Sequence, residues 1–194
     1  MVSGIIKRMK TYLILLRGIN VGGKNKVPMA ELRTYLEELG FSDVSTFIAS
    51  GNAFLTTDKT PDEVKTLIET MLPKKFKLDS ELIKILVLTR AQLQGVVDNR
   101  PKGFGEQPDM YHSDAIFLMG ITVRDALQVF NPREGVDAVW PGSGVVYSQR
   151  LSAQRTKSRL SAIMMSPLYK SMTIRSWNTT VKLLEIMNSA SGRH

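Results

Sequence analysis

Cysteine is absent from this sequence of 194 residues, which excludes disulfides, thiolate metal sites and cysteine nucleophiles together and fits a reducing compartment. Histidine is nearly absent, with only His112 and His194. A zinc or iron centre needs several converging ligands, so no metal and no cofactor is expected. Long apolar runs are missing as well. Ile5 and Ile6 are too little for a signal-peptide core, and no later stretch approaches the ~20 apolar residues that span a bilayer. The expectation is therefore a cytoplasmic chain without a membrane partner, preceded by a loose leader of about ten residues. Acids are missing from two stretches: residues 1–29 hold six Lys and Arg and no Asp or Glu, and residues 138–184 hold seven and none. Between them, 12 basic residues face 17 acidic ones, so the net charge of +8 comes from two separated segments. Such asymmetry attracts phosphate, carboxylate or nucleic acid, or else forms a solvated face that aids solubility.

What is present suits a folded protein. Hydrophobic residues make up 43% and charged residues 23%, close to globular averages. Thr11 to Arg17 is an apolar run of strand length, ended by a glycine-rich loop from Gly18 to Lys26. A helix opens at Pro28, carries Met29, Leu32, Leu36 and Leu39 on one side, and stops at Gly40. Val44–Ala49 and Asn52–Thr56 read as a hairpin across Ser50-Gly51. Thr60 to Glu63 is a capping box for a second helix, and Ile83 to Thr89 closes the unit as a strand. A short helix from Arg90 and a Gly- and Pro-rich stretch, 99–108, lead into a second half with the same element order. There Ala115–Met119 is a strand ending in Gly120-Ile121-Thr122, Thr122–Phe130 a helix, Val136–Trp140 and Gly144–Ser148 a hairpin across Gly142-Ser143, and Thr156–Met165 a helix. A short strand, 172–174, and a final helix, 178–187, complete it. The predicted fold is α+β: two tandem ferredoxin-like βαββα(β) units, 1–99 and 100–194, with antiparallel sheets packed against helices.

Three blocks carry a family resemblance. The run Leu16-Arg17-Gly18-Ile19-Asn20-Val21-Gly22-Gly23-Lys24-Asn25-Lys26-Val27, the triplet Ser50-Gly51-Asn52, and the stretch Thr173-Ile174-Arg175-Ser176-Trp177-Asn178-Thr179-Thr180-Val181-Lys182-Leu183 resemble a bacterial family known as domain of unknown function 1697. In the third block Ile174 and Ser176 depart from the Thr and Asn expected there. The resemblance implies ferredoxin-like halves and a bacterial origin, and brings no established substrate, cofactor or reaction.

The glycine-rich loop is the strongest local feature. Gly18, Gly22 and Gly23 free the backbone to turn N–H groups toward one point, and Arg17 and Lys24 add positive charge. The loop fits the phosphate-loop pattern G-x-x-x-x-G-K-[ST] except at Asn25, which cannot supply the magnesium-binding hydroxyl, and no second strand ends in a metal-holding acid. In the third block, Arg175, Asn178, Thr179 and Lys182 form either a ligand-facing cluster or an ordinary helix start capped by Ser176 or Asn178, with Trp177 as core anchor. His112-Ser113-Asp114 contains the residue types of a hydrolase triad, but adjacent strand residues point to opposite faces. Met164 and Met165 read as core filling. Asn52-Ala53-Phe54-Leu55 offers one aromatic where an RNA-reading strand needs several.

Two functions of different class are consistent with these residues. One is a cleft for a small phosphate- or carboxylate-bearing ligand, formed by Arg17, Gly18, Asn20, Gly22, Gly23, Lys24, Ser50 and Asn52 with Arg175, Asn178, Thr179 and Lys182. The other is a broad basic surface for nucleic acid or an acidic protein. Whether any reaction is catalysed is left open, as is the oligomeric state.

Overall fold

The computed structural model describes residues 8–79 and 83–191. The start of the expected leader and His194 lie outside them. The chain divides into two compact units: one runs to Arg90 and includes the chain from Met187, and the other spans Ala91–Ile186.

The first unit runs β1 (Lys10–Arg17), α1 (Met29–Glu38), β2 (Ser42–Phe47), β3 (Asn52–Thr57), α2 (Pro61–Lys75) and β4 (Lys84–Thr89). Its four strands form an antiparallel sheet in the order β2-β3-β1-β4, which is the ferredoxin-like arrangement. Strand β1 is central, and Tyr12 through Leu16 are all buried. Tyr12, Ile14 and Leu16 share one face because strand side chains alternate, and they pack with Leu32 and Leu36 of α1 and Val64, Ile68, Met71 and Leu72 of α2. The capping box starts α2 as the sequence indicates: the Thr60 hydroxyl accepts from the Glu63 amide at 3.3 Å, and the Glu63 carboxylate accepts from the Thr60 amide at 2.7 Å.

The second unit holds most of α3 (Arg90–Asp98), then β5 (Tyr111–Leu118), α4 (Val123–Gln128), β6 (Asp137–Pro141), β7 (Val145–Leu151), β8 (Met172–Ser176) and most of α5 (Trp177–Ser191). Its sheet runs β6-β7-β5-β8, the same order as the first. Helix α3, which the sequence reading assigns to the first half, groups with this second unit. Where the first unit has α2, the second has three short 3-10 helices, Ser152–Lys157, Leu160–Met165 and Pro167–Ser171. The α-helix expected over 156–165 is thus replaced by tighter turns. On the other face of this sheet, Phe104 meets Trp140, Tyr147 and Trp177 edge-on, with centroids 5.9, 5.3 and 5.1 Å away. The Tyr147 hydroxyl donates to the Val96 carbonyl at 2.6 Å. A Cβ on Gly105 would stand 2.0 Å from the Trp177 ring, so no side chain fits there.

The two units share a backbone device. Leu16 N–H donates to Gly51 O at 2.8 Å, and Leu118 N–H donates to Gly144 O at 3.0 Å. Both turn glycines have positive φ, 81° and 69°, and the strands end in further left-handed glycines, Gly18 (82°) and Gly120 (73°). Gly144, just after the Gly142-Ser143 turn read from the sequence, is therefore the counterpart of Gly51. No helix among the described residues is long and apolar enough to cross a membrane.

Candidate functional site

In the first unit, the excursion between β1 and α1 is a small hairpin. Asn20 N–H donates to Asn25 O at 3.0 Å and Lys24 N–H to Val21 O at 3.0 Å. Gly22 and Gly23, at φ 57° and 76°, are the two central residues of the tip. Positive φ at both positions defines a type I′ turn and explains why two glycines stand there. Asn20 fixes the base: its Oδ1 accepts from Val27 N at 2.8 Å, and its Nδ2 donates to Val27 O and Ala49 O, both at 2.9 Å. Asn25 fixes the return, with Nδ2 donating to Gly18 O at 2.8 Å and Oδ1 accepting from Asp79 N at 2.8 Å. Asn20 and Asn25 both adopt left-handed backbone, which Asn tolerates better than most residues.

The turn Ser50-Gly51-Asn52 abuts this loop. A Cβ on Gly51 would come within 2.9 Å of Ile19 and 3.0 Å of Leu16. Asn52 is fully buried, and its Nδ2 donates to Phe47 O and Ser50 Oγ, both at 3.0 Å. Arg17 ends β1 opposite Lys84 of β4. The first two motif blocks thus meet within one unit, where their asparagines lock main chain to main chain. The tip faces solvent: Val21, Gly22, Gly23, Lys24 and Lys26 are exposed, and the Gly22 and Gly23 amides bond to no partner among the described residues.

The third block lies in the second unit, and its polar residues take separate roles. Arg175 sits on β8, only 6% exposed, where its Nη1 donates to Thr173 Oγ1 at 2.9 Å and Ile174 O at 2.8 Å. Burial pushes its guanidinium down to about 10. Ser176 caps α5, its Oγ accepting from Thr179 N at 3.3 Å and donating to Thr179 Oγ1 at 2.9 Å. Asn178 is exposed, Lys182 pairs with Glu185 at 2.9 Å, and Trp177 is buried in the aromatic cluster.

A different cationic feature stands out in the same unit. The stretch from Ser152 to Ser171 buries only Leu160 and Ile163. Their spacing of three matches a 3-10 repeat, so both fall on the sheet side while their neighbours swing outward. Met164 is 57% and Met165 89% exposed, which corrects the expectation that they fill the core. Arg155, Lys157, Arg159 and Lys170 are exposed and make no ion pair among the described residues. Asp137 ties the stretch to the sheet, its Oδ2 accepting from Arg159 N at 2.8 Å and Arg133 N at 3.0 Å. Burial pushes the Asp137 carboxyl up, but the Arg159 amide, the Ser158 hydroxyl, the Arg133 amide and nearby Arg150 outweigh it and hold the group below its usual range.

Residues 9–147 match the model of a family described as a protein of unknown function, DUF1697. The chain belongs to the DUF1697 family. The match covers the loop and the Ser50-Gly51-Asn52 turn, whereas the third block lies beyond it. This DUF1697 chain is also similar to the conserved bacterial protein SP0830 from Streptococcus pneumoniae, with 27% identity, a TM-score of 0.79, and coverage of 92% of this chain and 98% of the other. No curated protein matches the sequence.

One pair escaped the sequence reading of this DUF1697 chain. His112 and Asp114 are two apart on β5 and so share a face, and the imidazole Nε2 lies 3.1 Å from the carboxylate. Burial pushes the Asp114 carboxyl up, partly offset by His112 and Arg150. Ser113 lies on the opposite face with its Oγ buried, so the three residues do not form a triad. The usable signal was the spacing of two, which adjacency obscured.

Proposed function

We propose that this chain is a binding protein for an anionic macromolecular partner, and that the exposed 152–171 stretch of the second unit is its contact surface. The observation carrying this reading is the set of four exposed cations, Arg155, Lys157, Arg159 and Lys170, none of them ion-paired among the described residues and all within a segment, 138–184, that contains no acid. Some exposed cations elsewhere take acidic neighbours, as Arg33 does Glu37 and Lys75 does Glu38, and others, such as Lys65 and Arg124, pair with none among the described residues. Those lie in the 30–137 segment, which carries 17 acids, whereas 152–171 carries none. Unneutralised like charges repel each other, and an anion relieves that repulsion. On a heparin column, retention should fall steeply with salt, because each contact releases counterions. Replacing the four residues by Ala should remove most of the retention, while Lys75→Ala and Lys182→Ala should leave it unchanged. Co-elution of the fourfold variant with the parent would sink this reading.

A second reading keeps the small-anion site at the hairpin tip of the first unit. It rests on the outward Gly22 and Gly23 amides, set by the asparagine lock and flanked by exposed Lys24 and Lys26. Adding inorganic phosphate to the labelled protein should then shift the Gly22 and Gly23 amide resonances first. Amides that stay in place at millimolar phosphate would remove this site.

A further inference from the structure

We infer that the partner of the 152–171 surface is an acidic protein segment carrying apolar side chains, rather than a nucleic acid. This inference rests on the reading of that surface as an anion-binding face and adds the class of partner.

Charge alone does not separate the two partners, since Arg and Lys neutralise phosphates and carboxylates alike. The uncharged residues separate them. Binding of single-stranded nucleic acid draws on aromatic platforms for the bases. The only aromatic in the stretch is Tyr169, and it is half-buried and packed into the apolar core with Ile116, Leu160 and Ile163. What the stretch offers outward is Met164 and Met165, adjacent in sequence between Arg159 and Lys170. Met165 is the most exposed of the large apolar residues described, at 89%. Single exposed apolar side chains are ordinary on protein surfaces, but two adjoining ones among unpaired cations make a mixed patch. Unbranched thioethers adapt to varied apolar partners, and surfaces that bind amphipathic segments use them for that reason. A phosphate backbone gives these side chains nothing to cover. An acidic segment with interleaved leucine or phenylalanine matches both halves of the surface, its carboxylates meeting Arg155, Lys157, Arg159 and Lys170 while its apolar side chains cover the methionines.

The test uses the full chain and three fluorescent probes of equal net charge: a peptide of alternating Glu and Leu or Phe, a peptide of Glu and Ser, and an oligothymidylate. At physiological salt the amphipathic peptide should bind about tenfold more tightly than the Glu/Ser peptide, the gain expected from partial cover of two methionines. The double variant Met164→Ser/Met165→Ser should erase that difference and leave the weaker binding of the Glu/Ser peptide unchanged. Met164→Leu/Met165→Leu should retain most of it. Because both side chains are exposed, melting temperatures should scarcely move. Equal affinity for the two peptides, or tightest binding of the oligothymidylate with no loss in the serine variant, would overturn the inference while leaving the anion-binding face intact. Failure of all three probes to bind would remove both.

Discussion

The two units have the same strand order and differ in what covers one face of the sheet. In the first, α2 lies there, started by a capping box and burying Val64, Ile68, Met71 and Leu72. In the second, three 3-10 helices take its place and bury only Leu160 and Ile163. An α-helix satisfies its own main chain and presents a wide apolar stripe, so its outer face needs only ordinary polar residues. A 3-10 stretch has a narrow buried edge and turns more of its length toward solvent. The composition follows: the surface of α2 mixes both signs of charge, whereas 152–171 has one sign and two bare methionines. A shared topology therefore packs a helix against the sheet in one half and leaves the corresponding segment of the other largely exposed.

The comparison can be broken first in the cores. Ile68→Ala, in the fully buried stripe of α2, should cost about 3–4 kcal/mol. Ile163→Ala should cost about 2 kcal/mol, because the exposed segment around it can settle into the space. Urea unfolding of both variants decides the matter, and equal losses would mean that the 3-10 cover is as rigid as the helix.

The turn glycines sharpen the comparison. Gly51 and Gly144 accept equivalent backbone bonds at similar φ, but a Cβ would collide with Ile19 and Leu16 at the first and meet nothing within 4 Å at the second. Gly51→Ala should then cost about 3 kcal/mol, strain plus overpacking, and Gly144→Ala about 1 kcal/mol, strain alone. Melting curves that rank the two in reverse would undo the equivalence of the turns.

The smallest effect concerns the tie through Asp137. A carboxylate whose folded pKa is depressed stabilises the fold above its unfolded value, about 3.9, and loses that contribution as pH falls through the folded value. Asp137→Asn should cost about 1–2 kcal/mol at pH 7, and the gap from the parent should close below about pH 4. Hydrogen exchange at Arg159 should rise in parallel, since its amide donates to this carboxylate. A gap that persists unchanged at pH 3 would show that charge plays no part in the tie.

Much of the first unit was legible because its signals are local. Thr60 with Glu63, Gly40 after α1 and the hairpin at Ser50-Gly51 each concern residues within four positions. The locking role of the asparagines was not legible, since the bond from Asn20 to Ala49 spans 29 residues and that from Asn25 to Asp79 spans 54. The 3-10 stretch misled for another reason. Leu160, Ile163 and Met164 stand at spacings that suit an α-helix as well, and only the serines and Pro167 hint at shorter turns. Arg175 fell between the strand and the helix expected there, and because β8 runs two residues further, to Ser176, the arginine lies inside a buried strand. Single-unit geometry supports the hairpin tip and the 152–171 face separately, which is why each has its own experiment.

The bonds from Leu16 to Gly51 and from Leu118 to Gly144 join main chain to main chain, and so they are indifferent to the side chains around them. Mutation can rewrite both halves at nearly every position and leave the bonds untouched, provided a glycine remains where the backbone turns left. The likeness of the halves then lies in the sign of a torsion angle and not in shared letters. Gly18 with Gly120 and Gly51 with Gly144 hold that sign, and at these four positions any side chain would be forced into the left-handed region.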